Sequence, residues 1–167
     1  MAEQPRKKGI RAGFGIRLLA SGYDSLILFG LLFIAFSLIT LAENYLGTMQ
    51  QWLKGSLIIV IAYAYFAGFW VKGGATTGMR PWKLRIVMNE TGEPLSWVTA
   101  SVRFIGLMIT WLALGMTLWY IISKDTGHFL FFVAAVIPAI SMATMAITRE
   151  RSPLHDLIAG TGIFRVE

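Results

Sequence analysis

An all-α membrane protein, a four-transmembrane-helix bundle with both ends in the cytoplasm, is the fold class that this 167-residue sequence predicts. Three observations predict it. Hydrophobic residues make up 56% of the chain and charged residues only 14%, whereas soluble domains carry about 25% charged residues. The apolar residues are bunched into four long blocks, and are not scattered at amphipathic spacing. Finally, Lys and Arg crowd into alternate gaps between those blocks.

In chain order, residues 1–15 read as a basic cytoplasmic tail and residues 16–167 as the membrane domain. The first helix is expected over residues 16–41, interrupted only by Arg17 and Asp24, and a polar connection follows to Gln51. The second is expected over residues 52–71, with Lys54 near its start. The third spans residues 97–122 and carries Arg103 in its second turn; a tight turn at residues 124–127 leads to the fourth, residues 128–147. About 20 apolar residues cross the hydrocarbon as a helix, and each block approaches or exceeds that length. A soluble four-helix bundle would need polar faces that these blocks lack.

The segment between the second and third helices has a different character. Leu84-Arg85-Ile86-Val87 alternates and is β-prone, and Asn89-Glu90-Thr91-Gly92-Glu93 is turn chemistry. Near the C-terminus, Ser152 and Pro153 read as the N-cap and first residue of a short cytoplasmic helix, residues 153–159, that stops at Gly160. Residues 162–166 are expected to pair with residues 84–87 in a small cytoplasmic β-element. Gly73 to Arg80 has glycines but lacks the Gly-Lys-Ser/Thr spacing of a phosphate loop and follows a membrane helix, so it reads as a turn. Ala64 and Gly68, and Ala135, Ala139 and Ala143, offer small-residue faces for helix packing, and Pro138 should loosen the fourth helix.

Charge sets the orientation. Of the 15 Lys and Arg residues, only Lys54 and Lys124 fall on the side opposite the termini, as the positive-inside rule requires for an inner-membrane protein with both ends inside. Trp52, Trp70, Trp97 and Trp119 lie at predicted helix ends, where an indole suits the interface. The first block is too long and too charged for a cleaved signal peptide. The net charge of +6 is explained by lipid headgroups and topology, so no nucleic-acid partner is expected. With no cysteine, thiolate catalysis, disulfides and cysteine metal sites are excluded. His128 and His155 fall on opposite sides of the membrane, and no metal or cofactor site is expected.

Ionisable residues inside the membrane are costly and mark function by default. Asp24 is therefore the leading candidate for a proton or ion site. Arg17 lies seven residues before it, on the same helix face and about 10 Å nearer the end. Ser21 and Ser25 are neighbours able to hydrogen-bond Asp24. The structural alternative is that Asp24 pairs with Arg103 or accepts hydroxyl hydrogen bonds and fixes packing. The adjacent His155 and Asp156 project in different directions and lack a nucleophile, so Asp156 is expected to hold Arg17 or Arg103. No catalytic residues, and no enzyme activity, are expected.

These stretches resemble the RDD family of bacterial membrane proteins, named for one arginine and two aspartates. Phe14-Gly-Ile-Arg-Leu-Leu-Ala-Ser-Gly-Tyr-Asp24 is similar to the family's opening, and Gly74-Ala-Thr-Thr-Gly-Met-Arg80 through Val87 to its central segment. Arg103 opens the later helix as an arginine often does there, and Leu154-His-Asp-Leu-Ile-Ala-Gly-Thr161 is similar to the closing motif. The resemblance implies that Arg17, Asp24 and Asp156 are the naming residues. Met79 stands where a lysine commonly precedes the arginine. The resemblance also suggests transport, with sodium–proton exchange for some members. Two functions stay open: a small-cation exchanger working as a homodimer with Asp24 as its titrating site, and a membrane adaptor or assembly factor whose charges are structural. An intramembrane aspartyl hydrolase would need two aspartates sharing a proton, and Asp156 lies outside the apolar blocks.

Overall fold

The computed structural model describes residues 10–124, 126–147 and 152–166. The tail through Gly9, and Arg149 and Arg151 of the basic C-terminal cluster, lie outside the described residues, as does Asp125 of the expected turn. The chain is mostly helical. Its elements are β1 (Ile10–Arg11), α1 (Phe14–Leu46), α2 (Gln51–Gly73), a 3₁₀ turn (Arg80–Trp82), β2 (Leu84–Met88), α3 (Trp97–Ile122), α4 (Phe129–Ile147), α5 (Leu154–Ile158) and β3 (Thr161–Arg165). Among the described residues α1, α2 and α3 are long and apolar enough to cross a membrane; α4 is a shorter apolar helix.

Two compact units divide the chain, residues 1–86 with 163–167 and residues 87–162. In the first, α1 runs 33 residues, and only Arg17, Ala20 and Asp24 along it are buried. That spacing is one stripe of a helix. Phe29, Phe33, Leu38 and Leu41 are among the many large apolar side chains that face outward, which lipid tolerates and water does not. The helix continues past Leu41 into the expected polar connection, where Glu43 is held by Lys54 of α2 at 2.7 Å, and it ends at Leu46 with Gly47 as its cap. On α2 the buried residues are Ala62, Tyr65, Ala67 and Trp70. Ala64 is exposed, so the close-packed face of α2 differs from the expected Ala64–Gly68 stripe.

The sheet has three strands in the order β1-β3-β2. Residues expected to belong to a tail instead supply β1, with Ile10 opposite Arg165 and Arg11 opposite Phe164 in antiparallel register. Phe14 and Gly15, also assigned to the tail, open α1. Alternation in β2 buries Leu84 and Ile86 and exposes Arg85. Gly74 caps α2 in the left-handed region, φ 65°, a conformation that glycine adopts without a Cβ penalty. Its carbonyl accepts the Ile86 N–H at 2.6 Å, which ties the strand to the helix end.

In the second unit, Ser96 caps α3 through the Thr99 N–H, 3.1 Å away. The turn after β2 is closed by Gly92 N–H donating to the Met88 carbonyl and Met88 N–H to the Glu93 carbonyl. The α4 residues Ala134 and Ser141 are buried whereas Ala139 and Ala143 are exposed, so here too the packed face differs from the expected small-residue stripe. Pro153, not Ser152, is the N-cap of α5. The cause is that the Pro153 carbonyl already receives the Asp156 and Leu157 N–H groups. Trp52, Trp97 and Trp119 are exposed at helix ends as an interface requires, but Trp70 is core.

Candidate functional site

Asp24 ends the buried stripe of α1 and is 5% exposed. A carboxylate so placed needs donors, and α2 and the loop after it supply them. Tyr65 Oη donates to Asp24 Oδ1 at 2.7 Å, Thr76 Oγ1 donates to Oδ2 at 2.5 Å, and the Gly78 N–H donates to Oδ1 at 2.8 Å. Thr76 is itself wholly enclosed, and its carbonyl accepts the Met79 and Arg80 N–H groups, which closes the turn into the 3₁₀ segment.

Gly78 explains the intimacy of this contact. A Cβ at that position would lie 2.5 Å from the Ala20 carbonyl oxygen, 2.7 Å from Asp24 Oδ1 and 2.8 Å from Asp24 Cγ. Only glycine lets the loop backbone approach α1 closely enough for its N–H to reach the carboxylate. Ala20 keeps the other side of the contact small. Ser25, expected with Ser21 to bond Asp24, is differently used: its Oγ donates to the Ser21 carbonyl at 2.8 Å, one turn back along α1. Arg17, also buried, directs Nη2 to the Ile163 carbonyl of β3, 3.4 Å away.

A second charged constellation lies within the other unit. Asp156 of α5 is fully buried, and its Oδ1 is 2.7 Å from Nη2 of Arg103, whose side chain is 4% exposed. His155 Nε2 is 3.5 Å from the same oxygen. Gly106, one turn beyond Arg103, makes room for α5: a Cβ there would be 3.0 Å from His155 Cβ. Arg103 thus belongs with Asp156, and hydroxyl and amide donors rather than a cation surround Asp24. Among the described residues no three His, Cys, Asp or Glu side chains gather as a metal site would need.

Sequence reading missed Tyr65, Thr76, Gly78 and Gly106. Thr76 and Gly78 were visible as members of the glycine-bearing turn, and the missing step was to ask which donors a buried Asp24 would need. With the positions of the arginine and both aspartates fixed, the comparison that decides the family is a match of the RDD family model to residues 11–160. The chain belongs to the RDD family. No match was found among curated proteins or solved structures. In this RDD protein, then, two buried aspartates each meet partners on another segment, Asp24 through Tyr65, Thr76 and Gly78 and Asp156 through Arg103. What these arrangements do chemically is hold segments together. A carboxylate facing three donors is a strong acceptor cluster.

Proposed function

We propose that this RDD protein is a membrane-embedded scaffold, an adaptor or assembly factor without catalytic activity, whose buried carboxylates hold the shape that a partner recognises. The observation that carries this reading is the Asp24 cradle, in which Tyr65, Thr76 and Gly78 take up the carboxylate from two sides. The protein sits in the bacterial inner membrane, crosses it four times and keeps both termini in the cytoplasm. The fourth crossing is α4, whose 19 residues span about 29 Å at 1.5 Å per residue, close to a hydrocarbon core of about 30 Å. The distribution of Lys and Arg supports the orientation. Reporter fusions after Val166 and within residues 44–49 should then report opposite sides, and agreement between them would end the four-span reading.

A second reading, exchange of protons or a small cation through a homodimer, is favoured by one observation. Tyr65, Asp24 and Thr76 form a buried chain of two hydroxyls on one carboxylate. The discriminating experiment is sodium and proton flux in liposomes containing only the purified protein and, in parallel, its Asp24→Asn variant. Asparagine keeps an acceptor for Tyr65 and Gly78, so the variant tests titration and not folding. Flux at the protein-free background supports the scaffold. Flux that is present in the wild type and lost in a folded variant overturns it in favour of exchange.

A further inference from the structure

The last turn of α2 gathers more positive charge than its own unit consumes. Lys72 lies in that turn. Arg80 places its guanidinium over the ring of Phe69, 5.5 Å from the centroid, and its Nη2 is 4.0 Å from where a Gly73 Cβ would be. Arg85 lies across the next residue, its Nε 3.0 Å and its Cγ 3.1 Å from the corresponding point on Gly74. Two guanidinium groups therefore rest on adjacent glycines at a helix end, and Lys72, Arg80 and Arg85 are all exposed. A helix C-terminus welcomes cations, which accounts for one of them, not for three.

Among the described residues of their own unit these cations have no spare carboxylate to balance them. Among the described residues of this unit, 10–86 and 163–166, the acidic side chains are Asp24 and Glu43. Asp24 is taken up by Tyr65, Thr76 and Gly78, and Glu43 by Lys54. The cations also sit at a boundary. Phe69 and the apolar turns before it belong to a helix able to cross the membrane, so the side chain stacked on Phe69 lies where hydrocarbon meets headgroups. Guanidinium stacked on an aromatic ring keeps its rim of N–H donors for an oxyanion, and its fork matches phosphate geometry in a way that an ammonium does not.

We propose that Arg80 and Arg85, assisted by Lys72, bind the phosphate of an anionic lipid headgroup at the end of α2. The site holds such a lipid whether or not Asp24 ever exchanges a proton, because it uses none of the Asp24 cradle. Gly74 is part of it, since it lets Arg85 lie close against the helix end.

The test uses the full chain, purified in neutral detergent. Short-chain phosphatidylglycerol, short-chain phosphatidylcholine and inorganic phosphate are titrated separately while thermal stability is followed, and retained lipids are counted by native mass spectrometry. Phosphatidylglycerol should raise the melting temperature and be retained, with little effect from either of the other two. Arg80→Gln/Arg85→Gln should weaken its apparent affinity by at least about tenfold, and Lys124→Gln should leave it unchanged. High salt should weaken binding as well. Equal retention of the two lipids by the wild type overturns the proposal, and that measurement needs no variant to fold. An equal effect from inorganic phosphate overturns the lipid assignment, and undiminished binding in a folded double variant overturns the residue assignment.

Discussion

Replacing Gly78 by alanine adds one methyl group at the tightest point of the structure. That carbon would stand 2.5 Å from the Ala20 carbonyl oxygen, a backbone atom fixed in α1 that cannot swing aside. Restoring ordinary contact means parting loop and helix by roughly 1 Å, an overpacking strain of about 1–3 kcal/mol. The same movement stretches the 2.8 Å bond from Gly78 N–H to Asp24 Oδ1, and a hydrogen bond to a charged group contributes about 1.5–3 kcal/mol. One displacement causes both losses, so they do not add in full, and a net loss of about 3 kcal/mol is expected. At about 2–4 °C per kcal/mol for a chain of this size, the melting temperature in detergent should fall by about 6–12 °C. Tryptophan fluorescence or size-exclusion after heating would read it. Gly68→Ala is the control, because nothing lies within 4 Å of the added carbon and a mid-helix glycine costs about 1 kcal/mol relative to alanine. It should raise the melting temperature by about 2–4 °C. A Gly78→Ala protein as stable as the wild type would refute the close-approach reasoning.

Asp24→Ala removes the acceptor from Tyr65, Thr76 and Gly78 together and should cost at least about 3 kcal/mol, whereas Asp24→Asn, which keeps one acceptor oxygen, should cost about 1 kcal/mol. Detergent melting curves give the order, and equal losses would remove the cradle as the explanation. Arg103→Met and Asp156→Leu should each cost about 3–5 kcal/mol by stranding a buried charge. The double variant should be more stable than either single one, and additive losses in a double-mutant cycle would show that the pair is uncoupled.

The helices were legible because lipid selects for uninterrupted apolar length, and that is a property of each segment alone. Even so, α1 runs on to Leu46, and its Glu43 is met by Lys54, eleven residues away, a contact that no window of local composition reveals. The strands expected at residues 84–87 and 162–166 are present within one residue of those bounds, as β2 (Leu84–Met88) and β3 (Thr161–Arg165). β1 was not legible, because two residues carry no period and Ile10–Arg11 becomes a strand only by pairing with Phe164 and Arg165. Asp24 stood out as a charge in an apolar block, and Asp156 as a charge in the short helix after the last one. Their partners did not, because Tyr65, Thr76 and Gly78 lie 41, 52 and 54 residues from Asp24. Ser25 on the same helix looked closer but donates to the Ser21 carbonyl.

That sequence separation has a consequence for biogenesis. A ribosome making roughly 5–20 residues per second finishes α1 at Leu46 about 1.5–6 s before it reaches Thr76. During that interval Asp24 enters the bilayer without its donors, at a penalty of about 2.5–3.5 kcal/mol near a helix centre on insertion scales. The leucine, isoleucine and phenylalanine side chains of α1, each favourable by about 0.3–0.6 kcal/mol, carry the segment in regardless. Insertion of α1 and satisfaction of Asp24 are therefore separate events in the life of the nascent chain. A chain truncated before Gly78 lacks one of the three donors, and one with a methyl group there has its loop held off α1, so in either case the inserted helix keeps an incompletely satisfied carboxylate. Synthesis as far as the loop after α2 is thereby registered inside the membrane, by whether one aspartate has found its three donors.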